Sequence, residues 1–188
     1  DPWAGGAAEA VHETFMAPAA GGTNIRAQET DDFDRSSGFT HPDFPRNLQV
    51  VFGASWPVSV DVYVSGKDAA GNSVSEVIDA SGGGTVVGTK AFGVISRMFS
   101  TTDGSTPTTA SVTPGGGVTV DVQLAAAAST VFGIALGQAT MATSAFKKLQ
   151  AAGLDEAFAA SDITNGTFRP TTLPDNIVDY DEWYQLTE

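Results

Sequence analysis

The sequence predicts an all-β fold, a β-sandwich or jelly-roll-like domain behind an extended N-terminal arm, and three observations predict it. Glycine and proline are frequent, 21 and 9 in 188 residues, while charged residues make up only 16%, a balance that favours strands and turns over helices. Residues 58–65 and 118–124 carry an apolar side chain at every second position, which places those side chains on one face of a strand. Residues 1–45 show neither the helical nor the strand period.

That first segment holds Gly-Gly twice, four prolines (Pro2, Pro18, Pro42 and Pro45) and isolated aromatic residues. Such a chain buries too little apolar area to offset its own conformational entropy, so its rings need another surface. Two surfaces are open to them: the chain's own domain, over residues 46–188, or a neighbouring subunit, where aromatic and arginine anchors dominate the energetics. The anchors expected for a partner are Trp3, Phe15, Arg26, Phe33, Phe39 and Phe44. A short helix over residues 7–16 is compatible with the local composition. Removal of residues 1–44 is expected to leave a folded β domain.

Alternation begins at Arg46. Leu48, Val50 and Phe52 alternate with Gln49, Val51 and Gly53, and Trp56-Pro57 turns the chain. Val58, Val60, Val62 and Val64 then share one strand face, with Ser59, Asp61, Tyr63 and Ser65 on the other. Gly66, Gly71 and Asn72 tolerate positive φ, so residues 66–72 predict the turn of a β-hairpin whose second strand is 74–78. Gly82, Gly83 and Gly84 permit a tight loop. Over 91–99 the apolar positions slip by one between Val94 and Ile95, which predicts a strand with a bulge. Residues 100–117, rich in Thr, Ser, Pro and Gly, read as a long loop or a weak hairpin. Residues 118–124 form a second half-buried strand and 131–136 a buried one. Over 141–160 the composition favours a helix, with Phe146, Leu149, Gly153, Leu154 and Phe158 near helical spacing. The aromatic-rich stretch 180–186 suits a last strand.

Charge and composition exclude several chemistries. With 22 acidic against 9 basic residues and a net charge of −13, attraction to a phosphate backbone is disfavoured, so no nucleic-acid partner is expected. The absence of cysteine removes disulfides, thiolate metal sites and cysteine nucleophiles. The apolar tract 122–137 is interrupted by Gln123, Ser129, Thr130 and Gly133 and is too short for a membrane-spanning helix, so the expectation is a soluble protein with no membrane partner. Residues 1–20 show no basic region followed by an apolar core, and no signal peptide is read there.

Motifs for chemistry are near misses. Only His12 and His41 are present, both in the arm, so the domain cannot assemble a histidine triad or a three-histidine zinc site. Residues 83–90 approach a phosphate loop, but Thr89 separates Gly88 from Lys90 and Ala91 replaces the required hydroxyl residue. Asp32, Asp34, Ser36 and Asp43 resemble a calcium loop in spacing, with Ser37 where glycine is required and no glutamate at the last place, so a solvated acidic turn is the simpler reading. Asp179, Asp181 and Glu182 are explained by the polar face of a strand as well as by an acid/base pair. Asn165-Gly-Thr167 is first of all a turn signal. No cofactor, metal site or catalytic residue is expected, and the chain is read as non-enzymatic.

Two stretches carry a resemblance. One is Pro45-Arg-Asn-Leu-Gln-Val-Val-Phe52-Gly-Ala-Ser-Trp56 with residues 60–76 and Gly88-Thr-Lys-Ala-Phe92; the other is Asn165-Gly-Thr-Phe-Arg-Pro170-Thr-Thr-Leu-Pro174-Asp175 with residues 179–184. Together they resemble head-associated structural proteins of tailed bacteriophages, of the capsid decoration or cement type, over residues 45–100 and 162–186. The shared pattern consists of strands and turns. It implies a β-sandwich on the outer surface of the virion head, a homotrimer, the major capsid protein as partner, and an arm that crosses capsomer seams. It also implies a β-hairpin over 146–162, with residues 153–156 near its turn, against the helix that composition favours. The arm is longer and richer in proline than this group suggests, and the run of alanines at 125–128 is unusual, which leaves the position on the particle open. A neck, tail or fibre subunit is the alternative. A carbohydrate-binding or adhesive β module, stacking sugars on Trp3, Trp56 or Trp183, is a further one.

Overall fold

The computed structural model describes residues 10–16, 24–26, 29–30, 33–108, 119–126, 129–133, 146–151, 154–155, 158–162, 167–170 and 179–185. In chain order its strands are β1 (Ala10–Met16), β2 (Asp34–Arg35), β3 (Arg46–Phe52), β4 (Asp61–Lys67), β5 (Ser73–Ile78), β6 (Thr85–Phe92) and β7 (Val94–Thr101). They continue as β8 (Val120–Leu124), β9 (Phe132–Gly133), β10 (Phe146–Ala151), β11 (Leu154–Asp155), β12 (Phe158–Asp162), β13 (Thr167–Pro170) and β14 (Asp179–Gln185). A 3-10 turn, Ala80–Gly82, follows β5. The fold is all-β and antiparallel throughout its sheets.

Two sheets enclose the core. A six-stranded sheet runs β12-β13-β9-β3-β6, with β8 also paired to β3, and a four-stranded sheet runs β2-β7-β4-β5. Alternation turns Leu48, Val50 and Phe52 inward from the first sheet, and Val62, Val64 and Met98 inward from the second. All of these are at most 4% exposed and belong to one cluster. Each such side chain contributes about 1.5–3 kcal/mol of burial free energy. The chain passes between the sheets at β2–β3, β3–β4, β5–β6, β6–β7 and β7–β8. The β6–β7 passage is a single residue, Gly93, so one extended run bends at a corner and pins the two sheets together. A separate four-stranded sheet has the order β1-β14-β10-β11.

The hairpin forms where the pattern puts it, whereas the single strand expected over 91–99 is divided at Gly93 between β6 and β7, and its bulge falls at Ser96 and not between Val94 and Ile95. β4 and β5 pair from Val62↔Ile78 to Lys67↔Ser73. Their loop is held by Asp68, whose Oδ1 accepts from Ala70 N and Asn72 N at 2.9 Å each, and Gly71 supplies a φ of 82°. In the β4–β7 ladder the register shifts between Ser65 and Gly66, which leaves Ser96 as the bulged residue. Gly66 is required there, because a Cβ would lie 1.8 Å from the Val94 carbonyl oxygen.

Several expectations are corrected. β4 starts at Asp61, not at 58: Val60 N donates to Pro57 O at 3.0 Å, the turn after Trp56-Pro57 persists to that point, and Val58 is 64% exposed. Residues 10–16 form a strand paired with β14, not a helix. Within 141–160 the described residues are strands: β10 pairs with β11 and β14, and non-local pairing overrides the helical propensity of Ala, Leu and Lys.

The described part of 24–44 lies against the domain. Asn24 and Glu29 bridge to Gln123 and Val120 on β8, β2 pairs with β7, and Ile25 and Phe33 are each 1% exposed in the core. Glu29, 8% exposed, is held between Arg26 and Arg35, and the guanidinium of Arg26 also donates to Ser37 O at 2.6 Å.

Candidate functional site

The outward face of the β2-β7-β4-β5 sheet brings aromatic, hydroxyl and charged side chains together. The alternation that sends Val62 and Val64 inward sends Tyr63, Ser65 and Lys67 outward on β4, and Ser73, Ser75 and Val77 outward on β5. The register sets Phe99 beside Tyr63 and Arg97 beside Ser65. Tyr63 and Phe99 stack with centroids 4.5 Å apart and ring planes at 19°. Arg97 lies 4.7 Å over the Phe99 ring and grips Asp34 with two hydrogen bonds, 2.9 and 2.8 Å. That grip holds the Asp34 carboxyl below the usual carboxylate range and raises Arg97 in turn. Phe99 is 2% exposed as a result, although it stands on an outer face.

Beyond Tyr63 the outward side chains become small, and a groove of about 270 Å³ opens between β4 and β5. Tyr63 and Lys67 mark its ends, Ser65, Ser73 and Ser75 line it with hydroxyls, and the bulged Ser96 adds a fourth from β7. Lys67 Nζ donates to Ser73 Oγ at 3.0 Å. Hydroxyls that donate and accept, an ammonium and an aromatic ring suit the binding of a polar ligand. Lys67 is the ionisable group other than the phenol among the lining residues, so the groove offers no acid/base pair.

On the far side of β5 the two sheet edges meet. Glu76 occupies an inward position between Val74 and Ile78, yet its carboxylate reaches β6 and accepts from Thr89 N at 2.7 Å, from Thr89 Oγ1 and from Lys90 N. Lys90 Nζ donates back to Ser75 O at 2.7 Å. Gly88 leaves room for the carboxylate, since a Cβ there would meet Glu76 Oε2 at 2.6 Å. An inward-pointing charge on an edge strand is a device against edge-to-edge pairing, and here it satisfies amides of the opposite edge.

No family model, curated protein or solved structure matches this chain.

The residues expected to anchor a partner are placed as follows. Phe33 is in the core, with Phe33 N 3.2 Å from Ser100 Oγ. Phe39 packs partly buried against the same core, and Phe44 meets the edge of Phe132 at 5.7 Å. Of the two uses open to these rings, packing on the chain's own domain is the one recorded for all three. Arg26 is spent on Glu29 and Ser37. Phe15 lies on β1 opposite Tyr180, and Trp3 falls outside the described residues. Sequence reasoning missed Tyr63, Lys67 and Arg97 as an outward group; the signal was the alternation itself, which assigns them to the face opposite the valines.

The near-miss motifs do not converge on a site. Asp34 is engaged by Arg97 and Asp43 by Arg46, while Asp32 lies outside the described residues. Residues 83–90 run from a turn into β6, where Lys90 serves the strand seam. Among the described residues no group of three His, Asp or Glu is placed to hold a metal ion. Trp56 is 6% exposed, donates from its indole to Val60 O at 2.6 Å and packs on Phe52, so it belongs to the core rather than to a sugar platform. Trp183 lies on β14 between His12 and Lys148.

Proposed function

We propose that this chain is a non-enzymatic structural protein of a tailed-virus particle, a decoration or cement subunit on the outer surface of the head. Its partners are the major capsid protein and further copies of itself, as a homotrimer at local three-fold positions. The observation that carries the reading is the use made of polar side chains. The carboxylates of Asp68, Asp79, Glu76 and Asp103 are each committed to backbone N–H groups of turns or strand ends. Such capping serves a framework whose task is to hold its shape.

The stretches that resemble head-associated proteins coincide with β3 to β7 and with β13 and β14, the strands of that framework. A subunit of this kind binds the assembled lattice and not its dissociated parts. At a free concentration 100 times its dissociation constant it would stabilise each site by about 2.7 kcal/mol. The net charge of −13 suits a surface facing away from packaged nucleic acid.

The test mixes the purified chain with heads that lack it. Saturable co-sedimentation, a higher disruption temperature for the decorated heads and trimeric density on the shell are the expected results. Rings, tubes or density confined to the neck or tail would move the assignment to those parts, and absence from every particle would discard both.

A further inference from the structure

The groove between Tyr63 and Lys67 changes character along its length: an aromatic ring, then hydroxyls, then a cation. We infer that it binds a short acidic saccharide, with a pyranose ring against Tyr63, sugar hydroxyls on the serines and a carboxylate at Lys67. The inference stands on the groove itself and goes beyond the virion reading.

Phe99 stacks on Tyr63 from the β7 side, Val77 is its cross-strand neighbour on β5, and the tyrosine side chain lines the groove beside Ser65 and Ser75. A tyrosine held by a stacked neighbour loses little freedom on binding and presents an apolar face with a polar tip. Ser65 and Ser75 are paired across the strands, as are Lys67 and Ser73. Their hydroxyls both donate and accept, as neighbouring sugar hydroxyls do. Lys67 lies four residues beyond Tyr63 on β4, a distance of about 13 Å at roughly 3.3 Å per residue, enough for a disaccharide. Its ammonium has a neutral hydroxyl as partner and forms no ion pair among the described residues, so its charge is uncompensated within the groove.

Other anions fit less well. The chain's charge of −13 repels a long polyanion, which leaves a ligand with few charges. The β4 backbone is already paired to β5 on one side and β7 on the other, so a peptide would find side chains but no free ladder of amides beneath it.

The test titrates the full, isotope-labelled chain with digalacturonate, with neutral galactobiose and with tetraglutamate, following backbone amide resonances. Digalacturonate should shift Ser65, Ser73 and Ser75 saturably and bind at least about fivefold more tightly than galactobiose, the advantage of a charge-assisted contact. Lys67→Gln, an exposed change whose folding the same spectrum checks, should abolish that preference. The inference fails if the wild-type chain shows no saturable shift on β4 and β5, if it binds both sugars equally, if Lys67→Gln keeps the preference, or if tetraglutamate binds as tightly.

Discussion

Gly66 and Asp103 show how single residues fix local geometry here. Gly66 faces the Val94 carbonyl so closely that any side chain must push β7 away. Gly66→Ala is expected to cost about 3 kcal/mol, the range of an overpacked site, read as a lower denaturant midpoint. Gly71→Ala, which has a φ of 82° but nothing within 4 Å of its added Cβ, should lose only about 1 kcal/mol for the left-handed conformation. Asp103 accepts first from the Thr106 hydroxyl, then from the Ser105 and Thr106 amides and the Thr101 hydroxyl, and its carboxyl is held far below the usual range. The folded pKa thus lies below the unfolded value of about 3.9. Its contribution to stability is complete above that value and is lost as pH falls through the depressed folded pKa. The Asp103 carboxyl-carbon resonance should accordingly remain that of the ionised form at about pH 3, where ordinary aspartates are largely protonated; a midpoint near 4 would contradict the capping geometry.

At the scale of elements, the seam between β5 and β6 decides whether the sandwich ends in two open edges or closes on itself. Glu76 and Lys90 supply side chains where a continuous sheet would supply backbone. Glu76→Ala should leave the Thr89 and Lys90 amides without their carboxylate acceptor and, at this partly exposed seam, cost about 0.5–1.5 kcal/mol. Faster hydrogen exchange at those two amides, with the β4–β5 hairpin amides unchanged, is the measurement that checks it. Self-association of this variant should rise as well, because an uncovered edge is a template for pairing. The 146–151 stretch illustrates the converse: its helix-forming residues pair as a strand because β14 and β11 offer partners on both sides.

For the molecule as a whole, the question is where the domain begins. Ile25 and Phe33 occupy the core that β3, β4, β7 and β8 build, so they are parts of the domain in physical terms. Truncation of residues 1–44 removes both, at about 3–5 kcal/mol for each large buried side chain. That approaches the whole stability of a typical domain, about 5–15 kcal/mol. Such a truncated chain should therefore melt far below the full one, or fail to fold, whereas removal of residues 1–23 should leave the cluster intact. Thermal unfolding of the two truncations, side by side, separates an appended arm from an integral one.

Much of the β3–β7 framework was legible in the sequence, because strand alternation, turn glycines and a one-residue slip are local signals with a direct geometric meaning. The valines of β4 and the Asp68–Asn72 turn lie where those signals put them, apart from the three residues by which β4 starts late; the slip over 91–99 signalled a bulge but neither its place at Ser96 nor the corner at Gly93 that divides that stretch between two sheets. Which surface the arm aromatics cover was not legible. Phe33 and Phe39 have the same sequence context whether they bury against their own core or a neighbour's, and burial depends on residues far along the chain. The strand at 10–16 was hidden for a related reason, since its partner, β14, lies at the other end of the sequence; over 146–151 composition pointed to a helix and the resemblance to a hairpin, and pairing with β11 and β14 decides for the strand. The groove likewise needed the fold: Tyr63, Lys67, Ser75 and Ser96 acquire a common surface only when pairing and register bring three strands side by side. Local periodicity by itself determined the kind of structure, and long-range pairing, which no local pattern encodes, decided which side chains meet.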